Sequence, residues 1–146
     1  MSGGNHESDF QLIKLSKSID ENALVFGGEI YSGWMTHWGE RRWGGTTFAK
    51  FKQQMSFLIT TKKQFSLYMA YGGTNFGLTA GANAGIHNLD YEPMITSYDY
   101  DAVITEQGKT TEKFDLMLTL MSKYIRDPSI DVPDPIKTIQ IATFTP

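Results

Sequence analysis

The first patterned stretch of the chain is Ala23-Leu24-Val25-Phe26, a short apolar run closed by Gly27-Gly28. Its length and its glycine ending predict a strand over about 23–28 that is covered on both faces, as strands of parallel sheets are. After a loop rich in Gly and Trp, Thr46 or Thr47 is placed to cap a helix reaching about residue 61. Phe48, Phe51, Met55 and Leu58 or Ile59 recur at helical spacing along it. The run Phe65-Ser66-Leu67-Tyr68-Met69-Ala70-Tyr71 then alternates large apolar residues with Ser66, Tyr68 and Ala70. That alternation predicts a second strand, with one face on helices and the other toward a tighter, more polar space. A long loop from about 72 to 109 follows. Beyond it, Thr110 or Thr111 can cap a helix carrying Phe114, Met117, Leu118, Met121 and Ile125 on one face, which Asp127-Pro128 ends.

Three segments result. Residues 1–22 begin with a Gly-, Ser- and Asn-rich stretch and are expected to be weakly ordered, although Leu12, Ile13 and Leu15 start an element whose type the pattern leaves open. Residues 23–126 hold the two strand-helix units. Residues 127–146 read as a Pro-rich linker leading into an edge strand over Ile136 to Phe144. The fold class is therefore α/β: two successive βα units, whose parallel strands need helical crossovers. In such folds ligand sites gather in the loops at the C-terminal ends of the strands.

Composition narrows the function classes. A net charge of −3, with thirteen scattered basic residues, gives no electrostatic footprint for nucleic acid or an anionic membrane. No apolar run approaches the roughly 20 residues that span a bilayer. There is no cysteine, hence no disulfide framework and no thiolate metal site. His6, His37 and His87 lack metal-ligand spacing and read as ordinary polar or packing residues, so no metal and no cofactor are expected. The polar start lacks the features of a secretory signal and suggests a cytosolic chain.

Candidate chemistry centres on GGEIYSGWMTHWGE, residues 27–40. Glu29 sits at the end of the first strand, where a carboxylate can cap the next helix or pair with Arg41 or Arg42. Its surroundings favour another role. Tyr31, Trp34, Trp38 and Trp43 in the same loop, with Tyr68, Tyr98 and Tyr100 from later segments, offer flat apolar faces with polar tips, which suit the CH face and the hydroxyls of a sugar. Trp34 and Trp38 also suit packing of the loop onto the sheet rim, and Tyr71 and Tyr124 suit the core. The run Gly72-Gly73-Thr74-Asn75-Phe76-Gly77 lacks the Lys and the glycine spacing of a phosphate loop and reads as a tight turn. Asp99 and Asp101 are either a carboxylate pair or turn-forming residues, and the turn preferences of Asp favour the latter.

Read together, GEIYSGWMTHWGE, LYMAYGGTNFGLTAGAN and TSYDYDAVITEQGKTTEKF resemble family 35 glycoside hydrolases, the β-galactosidases of that group. Their order and spacing are similar to the last two βα units of that family's (β/α)8 TIM barrel. The resemblance implies a retaining hydrolase of terminal β-galactosides with Glu29 as nucleophile. It also implies that Tyr31, Trp34, Tyr68, Tyr98 and Tyr100 shape the galactose pocket, with Tyr100 bonding the substrate directly and the aspartates structuring the loop. Ile30 stands where the family usually has an aromatic residue, and Val103 where it has proline.

Retaining hydrolysis needs a second carboxyl group, which the family carries in an Asn-Glu pair on its fourth strand. The 146 residues contain no such pair. A closed barrel takes about 250 residues, and at least about 200, so a partial barrel is expected, incomplete on its own. With its strand edges uncovered it should associate with a complementing chain that carries the rest of the barrel. Alone it is expected to hydrolyse little, and the alternative is a non-catalytic carbohydrate-binding remnant. The resemblance implies secreted or lysosomal full-length relatives, so the compartment stays open.

Overall fold

The computed structural model describes residues 6–41, 45–84, 90–124 and 134. Helix α1 spans His6–Ile19, strand β1 Phe26–Tyr31, helix α2 Phe48–Thr60 and strand β2 Gln64–Tyr68. Strands β3, Ala82–Ala84, and β4, Tyr91–Pro93, then pair antiparallel, and helix α3 covers Glu112–Tyr124. β1 and β2 run parallel, with Phe26 opposite Gln64, Ile30 opposite Leu67, and a register shift between Gly27 and Ile30. Two βα units are therefore present, and the described residues form no closed barrel.

β1 lies three residues beyond the stretch predicted for it. Its first pair is Phe26 with Gln64, the first residue of β2, so residues 23–25 precede any partner on that side. Nor is it covered on both faces: Leu24 is 82% exposed, Phe26 is 58% exposed, and Glu29 also faces solvent. β1 has a neighbouring strand on one side among the described residues, and a strand so placed cannot be buried like a central one.

α2 follows its predicted bounds closely. Phe51, Met55, Leu58 and Ile59 are its buried face, and the Thr47 hydroxyl accepts from the Lys50 N–H at 3.4 Å. That bond is long, so Thr47→Ala should cost only about 0.5–1 kcal/mol, read as a small drop in melting temperature. The α2 residues form the core with Ile30 and Val103, and Phe65, Leu67, Phe114, Leu116, Met117 and Leu120 pack around them.

Three expectations change. The segment 1–22 contains helix α1, whose end is turned by Asp20: its carbonyl accepts from the Ala23 N–H and its carboxylate from the Asn22 N–H. The loop over 72–109 carries the β3-β4 pair, whose strands of three residues each are too short for an alternation to mark them as strands. On α3 the packed residues are Phe114, Leu116, Met117 and Leu120, whereas Leu118 and Met121 are 38% and 39% exposed. The buried stripe is thus rotated toward α2, and it begins at Lys113. Ile125, Asp127, Pro128 and the edge strand expected over 136–144 lie outside the described residues, as do Arg42, Trp43 and His87.

Candidate active site

The C-terminal ends of β1 and β2 bring together the side chains of Glu29, Tyr31, Trp34, Tyr68, Tyr98 and Tyr100. Glu29 is exposed, and its Oε2 accepts the Tyr31 hydroxyl at 2.6 Å. The Tyr31 ring meets Trp34 edge-on at 5.3 Å between centroids and Tyr68 at 6.1 Å. Tyr100 completes the cluster, 5.7 Å from Tyr68, 6.0 Å from Trp34 and 5.5 Å from Tyr98. Edge-to-face and tilted contacts of this kind stabilise by about 0.5–1.5 kcal/mol each beyond area burial. The rings therefore hold one another, with Tyr100 beneath and the partly exposed Tyr68 at the rim.

The electrostatics keep these phenols protonated. The hydrogen bond to Glu29 raises the Tyr31 pKa. Burial is the leading cause of upward shifts at Tyr98, which also bonds Tyr68, and at Tyr100, which additionally feels the neighbouring phenols and the Glu29 charge. At neutral pH all three are hydrogen-bond donors. Tyr100 is 2% exposed, yet its hydroxyl has no hydrogen-bond partner among the described residues. A buried hydroxyl left open in this way is costly, and a ligand atom would satisfy it.

The loop carrying Tyr98 and Tyr100 is fitted between the two strand-end loops at glycines. A Cβ on Gly33 would lie 1.9 Å from the Tyr100 carbonyl oxygen, and one on Gly72 would lie 1.7 Å from that of Tyr98. The GGTNFG run is a tight turn, with Gly73 and Gly77 at positive φ. Its Gly73 carbonyl accepts from the Tyr98 N–H, and its Asn75 N–H donates to Thr96. Glu106, which the pattern did not single out, ties the same loops. Its carboxylate accepts from the Thr74 hydroxyl and from the Ser97 hydroxyl at 2.5 Å, and its carbonyl accepts from the Tyr71 hydroxyl.

The two aspartates work apart. Asp99 is buried and accepts the Glu106 N–H at 2.8 Å, whereas Asp101 pairs with Lys113 at 2.6 Å. Both therefore structure the loop and do not meet as a carboxylate pair. His37 is a buried packing residue, its ring 3.0 Å from the Glu40 carboxylate and 3.2 Å from the Asn83 amide. Glu40 is held below the usual carboxylate range, first by the His37 backbone N–H and then by the ring. Trp34 is half-buried and packs its ring against Tyr31 and Tyr100 at the strand ends, whereas Trp38 is 71% exposed and lines a cleft of about 240 Å³ with Thr36, His37, Glu40 and Thr96. Among the described residues no group of three or more His, Asp or Glu side chains could hold a metal ion, and no helix is long and apolar enough to cross a membrane.

Comparison with known proteins bears on what such a site does. A sequence model described as "Glycosyl hydrolases family 35" matches residues 2–124. The chain is 42% identical over 126 residues to "Beta-galactosidase 17" of Arabidopsis thaliana, covering 84% of this chain and 18% of that protein. It is 35% identical over 136 residues to "Beta-galactosidase 8" of Oryza sativa subsp. japonica, covering 92% and 20%. With the "Beta-galactosidase" of Bos taurus it shares 32% identity over 120 residues, covering 82% and 17%. The chain thus spans about a fifth of the length of the curated relatives it matches.

Proposed function

Because the chain belongs to glycosyl hydrolases family 35, we propose that it supplies the nucleophile side of a β-galactosidase-like active site. On this reading β1 and β2 are the seventh and eighth strands of a (β/α)8 barrel, and Glu29 is the nucleophile of a retaining mechanism. The observation that carries it is an exposed carboxylate in the C-terminal half of β1, held by Tyr31 beside a ring cluster whose buried Tyr100 hydroxyl has no partner among the described residues.

The chemistry follows from that geometry. Tyr31 fixes Oε2 of Glu29, so Oε1 is the oxygen free to attack the anomeric carbon of a terminal β-galactoside. The C1–O bond to the aglycone breaks as the Glu29 ester forms, and the leaving oxygen takes a proton from a second carboxylic acid about 5–5.5 Å away. The same acid, now a carboxylate, removes a proton from water, which attacks C1 and returns Glu29 to its ionised form. Tyr68, Tyr98 and Trp34 face the sugar's CH surface and hydroxyls, and Tyr100 donates to substrate.

These 146 residues carry no Asn-Glu pair to act as that acid, so on this reading the acid lies in the remaining part of a relative's length. The chain alone should turn over an aryl β-galactoside at least about 10²-fold more slowly than the completed enzyme, the size of a typical general-acid contribution. Coexpression with a complementing chain that carries that part should restore hydrolysis, read as released nitrophenol. A folded complex without turnover overturns the enzymatic reading. Galactose binding by that inactive complex would then favour the second one, a carbohydrate-binding remnant.

A further inference from the structure

Lys113 opens the buried stripe of α3 and is 3% exposed. A buried ammonium is costly unless its protons meet acceptors. Lys113 Nζ donates to three: the Ser32 carbonyl at 2.8 Å, the Asp101 carbonyl at 2.7 Å and Asp101 Oδ2 at 2.6 Å. The Phe51 ring lies beneath it, 5.8 Å from Nζ.

The positions of these acceptors are informative. Ser32 directly follows Tyr31, the phenol on Glu29, and Asp101 directly follows Tyr100, the phenol with the open hydroxyl. Moreover, Tyr100 and Asp101 adopt φ of +65° and +52°, a left-handed conformation that costs a non-glycine residue on the order of 1 kcal/mol or more. Two such residues in succession persist only where the surroundings hold them. Lys113 does so from outside the ring cluster, binding both the carbonyl and the carboxylate of the second of them.

We propose that Lys113 is a positioning residue: one ammonium fixes the chain just after Tyr31 and just after Tyr100, and so sets the spacing between the nucleophile's phenol and the substrate-facing phenol. The kinetic consequence rests on the proposed β-galactosidase reading, whereas the structural one does not. A merely stabilising lysine would change the melting temperature and leave the state of Tyr100 in the folded protein as it was.

The test compares Lys113→Met, Tyr100→Phe and the double variant. In the 146-residue chain, phenolate absorbance is followed against pH while circular dichroism monitors folding. Lys113→Met should release one additional phenol to titrate near the ordinary value of about 10, and that phenol should be missing in the double variant. Should Lys113→Met unfold, Asp101→Asn, which keeps the shape and weakens the tie, should release the same phenol. Continued protection of Tyr100 in a folded variant overturns the proposal. In the complemented enzyme, Lys113→Met should lower kcat by about 10- to 100-fold, as small misplacements of reacting groups do, with KM changed less than about 3-fold. On a Tyr100→Phe background the same change should add less than about 3-fold, because the two act as one unit. Additive losses contradict the proposal. Wild-type inactivity would instead sink the β-galactosidase reading, and the phenol titration would still decide the role of Lys113.

Discussion

Glu29→Gln in the complemented enzyme is expected to cut turnover of an aryl β-galactoside by about 10³-fold or more, the scale on which covalent catalysis is lost with its nucleophile. The amide matches the carboxylate in shape and can still accept from Tyr31, so the ring cluster should persist and galactose binding should survive. The loss should therefore fall on kcat, because attack at the anomeric carbon requires an anionic oxygen that the amide lacks. Equal loss of binding and turnover would point instead to a collapsed site.

The second large effect is expected at Gly72. Its absent side chain leaves room for the Tyr98 carbonyl oxygen, which would lie 1.7 Å from an added Cβ. Backbone cannot swing aside as a flexible side chain does, so Gly72→Ala must push the Tyr98–Tyr100 loop off the turn that follows β2. The expected cost is about 3 kcal/mol, or a melting temperature lower by roughly 10 °C. Gly28→Ala makes the control, since nothing lies within 4 Å of its added Cβ and its melting temperature should hardly change. A Gly72→Ala protein that melts within a degree or two of wild type would mean that the loop is not seated on that glycine.

Much of this arrangement is legible in the residues. The α2 face of Phe51, Met55, Leu58 and Ile59 follows from periodicity alone, because a helix packed on one side leaves a 3.6-residue imprint. β1 lies three residues beyond its apolar run because hydrophobicity marks where a strand would be covered, whereas its bounds are set by where β2 offers partners. The antiparallel pair of β3 and β4 is too short for its alternation to identify strands. Aromatic crowding and family resemblance single out the six side chains of the candidate site. Their convergence depends on the loop contacts at Gly33 and Gly72, which no local pattern encodes.

Lys113 illustrates the remainder. Its spacing to Leu116, Met117 and Leu120 places it on the apolar stripe of α3, a position at which a lysine needs a counter-charge and acceptors for its protons. That anomaly was available in the sequence. The identity of its partner was not, because Ser32 is 81 residues away along the chain, and Asp101 is reached only once its turn is left-handed. Glu106 is similarly invisible, since its partners come from two separate segments, Thr74 in one turn and Ser97 and Asp99 in another.

The covalent step offers the most direct measurement. A 2-deoxy-2-fluoro-β-galactoside with an activated leaving group should form a long-lived ester in the complemented enzyme, because the fluorine slows the hydrolysis of the glycosyl-enzyme more than its formation. Digestion and mass spectrometry should find the fluorogalactosyl mass on the peptide carrying Glu29, and no such mass in Glu29→Gln. A label on a different carboxylate, or active enzyme that turns over substrate yet never becomes labelled, would contradict the assignment of Glu29 as the nucleophile.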